Sequence, residues 1–280
     1  MALSAVQINQ ELLNRLSKIM DKAEAEALAK EIWLHYWKWP VFNEEVDAKV
    51  LNQIELVIQR LENGEPLQHI LEKAWFCGME WKVNSHVLVP RPETEELVYW
   101  ILETKDQAKK SILDLGTGSG CIAVSLAKLG NWHSVSALDI SEKALETAIF
   151  NSEKQKVLPD FFRFDILSEA PIISGLMKWD IMVSNPPYVL QTEANEMEKT
   201  VLDFEPHLAL FVPDLNPLLF YEKIGKLGQQ QLEKDGWIFF EINPKLGPET
   251  CQLLEKLGYS NIQLRQDIFG KDRMIKAQKP

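Results

Sequence analysis

Asn185-Pro186-Pro187-Tyr188 is the stretch of this sequence with the most chemistry in it. It follows Asp180-Ile181-Met182-Val183-Ser184, a short apolar run that reads as a buried parallel strand. Two consecutive prolines cannot continue a strand or enter a helix interior, so the chain leaves the sheet there in a stiff, extended turn. Neither proline has an N–H, and the turn presents mostly acceptors, with the Asn185 amide and the Tyr188 hydroxyl as donors. Such a site suits a planar –NH2 group. The Asn185 side-chain oxygen and the Pro186 carbonyl would each accept one of its hydrogens while Tyr188 stacks on its plane. Polarising both N–H bonds returns electron density to nitrogen, and holding the group still supplies orientation. Asn185, Pro186 and Tyr188 are the expected catalytic residues, and with Pro187 they form the expected substrate-binding turn. The plainer alternative is a Pro-rich connecting loop with Asn as its turn former.

The elements that would position this turn begin upstream. Ser111-Ile112-Leu113-Asp114-Leu115 is strand-like and breaks into Gly116-Thr117-Gly118-Ser119-Gly120, after which Cys121 to Ala127 carry apolar residues at helical spacing. Strand, glycine turn and helix form the context in which a nucleotide-type cofactor meets backbone N–H groups at a helix N-terminus. Val135 to Asp139 is a second strand ending in an acid, and Asp139 lies roughly 20 residues past the glycine turn, the offset of a carboxylate that binds ribose hydroxyls. A glycine turn also serves nicotinamide cofactors or plain helix packing. Asp114 leans away from a dinucleotide, because an acidic strand end repels a pyrophosphate and attracts a cationic amino group or sulfonium.

Taken together, Asp114 to Gly120, Asp139 and Asn185-Pro186-Pro187-Tyr188 resemble a class I S-adenosylmethionine-dependent methyltransferase of the amino-methylating branch. Further stretches resemble the HemK/PrmC family, the protein-(glutamine-N5) methyltransferases of peptide chain release factors. They are Gly64 to Ile70, Val89-Pro90-Arg91-Pro92-Glu93-Thr94-Glu95, Phe204 to Leu210 and Asp267 to Arg273. The resemblance runs from about residue 60 to the C-terminus. It implies S-adenosyl-L-methionine as cofactor, held by Gly116, Thr117, Gly118, Ser119, Gly120, Asp139, Ile166 and Asn185. It also implies direct methyl transfer to the glutamine of a Gly-Gly-Gln motif in bacterial class I release factors, and thus a role in translation termination. In this fold the end of the third strand holds the adenine, here Asp165 and Ile166; the family often has an aromatic at the position of Ile166. Asp165 as a helix cap competes with that role. The Pro90 to Glu95 segment is implied to border the cofactor pocket. An N6-adenine or RNA guanine amino methyltransferase would use the same turn and is the alternative reading. A Rossmann-type dehydrogenase would leave Asn185 to Tyr188 unexplained.

Composition bounds these readings. At 280 residues, 46% hydrophobic and 25% charged, the chain is an ordinary globular protein. The formal net charge of −11 runs against duplex nucleic acid as partner, since phosphate contacts need a field of Lys and Arg. No run reaches membrane-span length and no signal pattern is present, so a cytoplasmic monomer without membrane partner is expected. Cys77, Cys121 and Cys251 are scattered, which argues against disulfides and against any metal site; Cys121 reads as a packing residue rather than a reactive thiol.

The expected fold is α/β, a doubly wound, mostly parallel seven-stranded methyltransferase sheet preceded by a small helical bundle. Residues 1–70 read as the bundle, which by resemblance helps recognise the release factor. Ile8 to Met20 carries one helical stripe, and Asp21 to Ala29 reads as its continuation. Trp33, Tyr36, Trp37 and Trp39 before Pro40 read as a bundle core or as a partner-docking cluster. Val50 to Leu61 is a further helix ended by Asn63-Gly64. Residues 71–89 read as a β-hairpin linker around Gly78, and residues 90–280 as the methyltransferase domain. In that domain Thr94 or Glu93 opens a helix, Phe161 to Asp165 forms the third strand, and Val189 to Lys199 is a polar, mobile stretch. Leu218 to Leu232 and Glu249 to Leu257 are helices. Trp237 to Glu241, Ile262 to Leu264 and Met274 to Ala277 are the last strands, the final one inserting antiparallel.

Overall fold

The computed structural model describes residues 4–38, 45–168 and 178–280. It divides into two compact units, one of residues 1–73 with 198–204 and one of residues 74–197 with 205–280.

In the helical unit, α1 (Ala5–Leu16) opens on a capping box between Ser4 and Gln7. The stripe does not run on as one helix. The chain turns at Ser17 to Met20, and Asp21 caps a new helix, α2 (Lys22–Tyr36), by accepting the Glu24 N–H at 2.9 Å. A side chain that offers the backbone a competing acceptor favours a helix start over a helix interior. α3 (Ala48–Glu62) ends at Asn63, with Gly64 at a φ of +85°, and a single turn, α4 (Leu67–Ile70), follows. Leu12, Leu16, Ile32, Trp33 and Ile54 are fully buried between these helices. Trp33 belongs to that core and donates its indole N–H to Asn9 Oδ1, and Tyr36 and Trp37 pack against it half-buried. Trp39 and Pro40 lie outside the described residues.

The sheet unit begins with the hairpin β1 (Ala74–Phe76) and β2 (Met79–Trp81). Its Phe76 and Trp81, followed by Val83, Val87 and Val89, are buried in the core under one face of the sheet. The chain then follows α5 (Pro92–Leu102), β3 (Ser111–Leu115), α6 (Cys121–Leu129), β4 (Ser134–Asp139), α7 (Glu142–Gln155), β5 (Asp160–Arg163) and β6 (Trp179–Ser184). After β7 (Val189–Leu190) come the short α8 (Lys199–Phe204) of the helical unit, α9 (His207–Leu210) and β8 (Phe211–Val212), which pairs with β7. Next are α10 (Leu219–Gln231), β9 (Leu232–Glu241), α11 (Gly247–Lys256), β10 (Ser260–Gln266) and β11 (Asp272–Gln278).

Seven strands form one sheet in the order β10-β11-β9-β6-β3-β4-β5, all parallel except β11, which runs antiparallel to both β9 and β10. The central strands are mostly apolar and buried on both faces. Ile112, Ile181, Val183 and Phe239 enter one core, and Leu113, Met182, Ile238 and Phe240 enter the other, the alternation that a pleat imposes. The winding reverses between β3 and β6, and in open α/β sheets ligands bind beyond the strand ends at that point.

Among the boundaries that differ from the sequence reading, those of β5 and α5 bear on the cleft. β5 stops at Arg163, so Asp165 lies beyond the strand, where its carboxylate accepts the Leu167 N–H at 2.8 Å and closes a local turn. α5 starts at Pro92 with Arg91 at the cap position and no side-chain cap, because proline's fixed φ already suits the first helical position. Thr94 therefore sits inside the helix, and its hydroxyl is used elsewhere. Val189 to Glu196 forms β7 and a 3-10 turn.

Candidate active site

A cleft opens at the switch point, with about 1120 Å3 of empty space that includes open solvent. Gly116 to Ser119 and Asp139 form one wall, Asn185 and Pro187 another, with Thr94 and Arg91 beside them; Phe164 to Leu167 and Leu208 add an apolar stretch.

The glycine turn is built from its own neighbourhood. The Gly116 and Thr117 N–H groups both donate to the Leu138 carbonyl at 2.9 Å, tying the turn to β4. Asp114, fully buried, accepts the Thr117 hydroxyl at 2.6 Å and the Ala123 N–H at 3.2 Å. It thus braces the turn from behind and is not among the residues lining the cleft. Burial pushes its carboxyl up to about 7, against the pull of those two donors. Its Oδ1 has no hydrogen-bond partner among the described residues. Asp139 accepts the Gly118 N–H through one oxygen and the Ser141 N–H through the other, both at 2.9 Å. Desolvation raises it, and those N–H bonds oppose the rise.

The glycines divide into two kinds. A Cβ on Gly116 or Gly118 would meet no atom within 4 Å, and both have positive φ, so bare backbone faces open space that a ligand can approach. A Cβ on Gly120 would lie 3.0 Å from Ala148 Cβ and 3.1 Å from its Cα. Gly120, next in sequence to the lining residues, lets α6 pack closely on α7. Ile166 and Asp165 stand on the cleft wall, and Phe164, which sequence reasoning passed over, supplies an aromatic there.

At the other end, Ser184 Oγ donates to the Leu115 carbonyl at 2.7 Å, locking the ends of β6 and β3 together just before the proline turn. Asn185 Nδ2 donates to Thr94 Oγ1 at 3.3 Å. Among the described residues, no donor reaches Asn185 Oδ1 or the Pro186 carbonyl. Pro186 is buried and Tyr188 half-buried, and neither lines the cleft. The Tyr188 hydroxyl donates to Glu241 Oε1 at 3.1 Å. Thr94 donates to the other oxygen of Glu241 at 2.6 Å. Glu241, at the end of β9, is 1% exposed. Burial raises its carboxyl, while the Thr94 hydroxyl and the Arg273 charge pull it down. Arg91 pairs with the buried Glu205, which also accepts the Val89 N–H at 3.3 Å. Arg91 and Thr94, which line the cleft, fall in the Pro90 to Glu95 segment that the resemblance put beside the pocket, whereas Glu205 and Glu241 were given no site role from sequence. The available signal was an acid closing the apolar run Trp237 to Phe240, since a carboxylate in such a place needs partners.

Known proteins resemble this chain over most of its length. Residues 94–204 match the family model described as the methyltransferase small domain. The chain is 48% identical over 239 residues to the release factor glutamine methyltransferase of Flavobacterium psychrophilum, covering 83% of this chain and 82% of that one. It is 47% identical over 227 residues to the protein of the same name from Bacteroides thetaiotaomicron, with 81% of each covered. A crystal structure of a methyltransferase from Pyrococcus furiosus shares the fold, with a TM-score of 0.52 at 20% identity over 72% of this chain and 90% of that one. Near-half identity across most of both chains is far more than a shared fold requires, and this chain belongs to the release factor glutamine methyltransferase family.

Proposed function

We propose that this chain transfers the methyl group of S-adenosyl-L-methionine to the side-chain amide nitrogen of a glutamine in a peptide chain release factor, the glutamine of a Gly-Gly-Gln motif. The observation that carries this reading is the unfilled acceptor of Asn185, a residue of the cleft wall whose amide group is already spent on Thr94, in a chain of that family. An amide oxygen with no donor of its own is what an incoming N–H of a primary amide requires.

The rest of the cleft fits the cofactor. The open backbone of Gly116 and Gly118, the Asp139 carboxylate and the apolar stretch with Phe164 and Ile166 suit an amino-acid tail, a ribose and an adenine ring in that order. When bound, S-adenosyl-L-methionine supplies a methyl carbon made electrophilic by a sulfonium. The protein's part is to aim the nitrogen. An amide lone pair is delocalised into its carbonyl, so Asn185 and Pro186 accept the N–H bonds, restore density to nitrogen and fix its direction of approach. Tyr188, anchored through its hydroxyl, stiffens the turn behind them. The added proton leaves the methylated nitrogen only after transfer, when water can take it. The helical unit, by the family resemblance, is assigned to holding the release factor.

Incubating the protein with methyl-labelled S-adenosyl-L-methionine and, in parallel, release factor, DNA, tRNA and rRNA tests the proposal. Label on release factor that vanishes when its Gly-Gly-Gln glutamine is replaced is the expected result. Label on nucleic acid alone overturns it.

A further inference from the structure

We infer that Glu241 is a positioning residue for methyl transfer, acting through Thr94 to set which atom of Asn185 faces the substrate and directly on Tyr188 to hold the far end of the same turn. The inference rests on the function proposed above. A carboxylate only accepts hydrogen bonds, so both hydroxyls at Glu241 must spend their single hydrogen on it, Thr94 at 2.6 Å and Tyr188 at 3.1 Å. The Thr94 oxygen is then left with acceptor capacity alone. Only the –NH2 side of the Asn185 carboxamide can satisfy it, at 3.3 Å. The Asn185 oxygen is consequently turned away from Thr94 and free to accept the substrate N–H.

The polarity of the bond chain thus runs outward from one buried acid to the reacting nitrogen. Were the Asn185 amide reversed, its oxygen would face another acceptor and its –NH2 would face the –NH2 of the substrate. One carboxylate at the end of β9 orients one end of the turn and clamps the other, although β9 contributes no other group to it. Arg273, whose charge also acts on Tyr188, and Glu93 are the charged groups whose fields reach Glu241.

Three variants test this with the release factor assay. Thr94→Val keeps the shape and removes the hydroxyl. It is expected to lower the saturated turnover roughly 30-fold, as misorientation of a reacting group does, with the dissociation constant for S-adenosyl-L-methionine unchanged within about threefold. Thr94→Ser restores the hydroxyl and is expected to recover most of the rate. Glu241→Gln presents a donor to one of the two hydroxyls, reverses one link of the chain, and is expected to lose turnover without loss of cofactor affinity. Turnover of Thr94→Val within about twofold of wild type overturns the inference. So does equal loss in Thr94→Ser and Thr94→Val, or loss expressed wholly as weaker cofactor binding. Failure of the wild-type protein to label the release factor glutamine would instead remove the proposed function, so the two failures are separable.

Discussion

At one end of the cleft, Asp114 and Asp139 brace the glycine turn through hydrogen bonds that span 3, 9 and 21 positions of the chain. At the other, Asn185 and Tyr188 are held through bonds that span 91, 53 and 147 positions. The bonds of Asp114 and Asp139 to the glycine turn are local, made within one strand-turn-helix-strand unit. The acceptor turn is stiff because of its prolines but is aimed only when α5 and β9 are in place around it. Locally built geometry tolerates change far away, whereas geometry set by distant groups fails when any one of them goes.

Asn185→Ala should break the second end most severely. It removes the acceptor that faces the substrate, and turnover on release factor should fall roughly 1,000-fold, the upper range for one oriented polar group. Cofactor affinity by calorimetry should change little, and equal loss of both would mean that Asn185 shapes the cleft instead. Asp139→Ala should do the reverse, weakening S-adenosyl-L-methionine binding roughly 10- to 100-fold, as loss of bonds to a charged group does, while saturated turnover changes less. A variant with normal affinity would remove Asp139 from the ribose site.

Within the glycine turn, Gly120→Ala and Gly118→Ala should cross over. Gly120 has a φ of +82° and Ala148 at its back, so alanine there should cost about 2–3 kcal/mol of stability by strain and crowding. Gly118 has a φ of +55° and open space beside it, so alanine should cost only about 1 kcal/mol but intrude on bound cofactor. Denaturant midpoints and calorimetry on the two variants would show whether packing and binding separate in this way.

The smallest effect concerns pH. An acid whose pKa is higher folded than unfolded keeps its proton longer in the fold, and its contribution to stability is lost as pH rises through the folded value. Asp114, raised by burial from 3.8 to about 7, makes that contribution in full below 3.8 and loses it through about 7. Asp139, Glu205 and Glu241 are shifted in the same direction. The carboxylates with lowered pKa, Glu62, Glu193 and Asp267, act only in the acid range below 4.5. The protein without cofactor should therefore show a lower urea midpoint at pH 8 than at pH 6. A higher midpoint at pH 8 would mean that Asp114 is ionised in the fold.

By itself, the sequence determined what adjacent residues can settle. Two prolines after an apolar strand dictate a turn rich in acceptors, and glycines after β3 with an acid ending β4 dictate a nucleotide-type turn, because φ restrictions and strand periodicity act over a few residues. Only the tertiary structure decided which of these residues face the cleft. It put Asp114 behind the glycine turn, tied Tyr188 back to Glu241 and took the Thr94 hydroxyl out of helix capping. The reason is physical: a hydrogen-bond partner 147 positions away is chosen by sheet register and helix packing, and no local pattern of residue types encodes either.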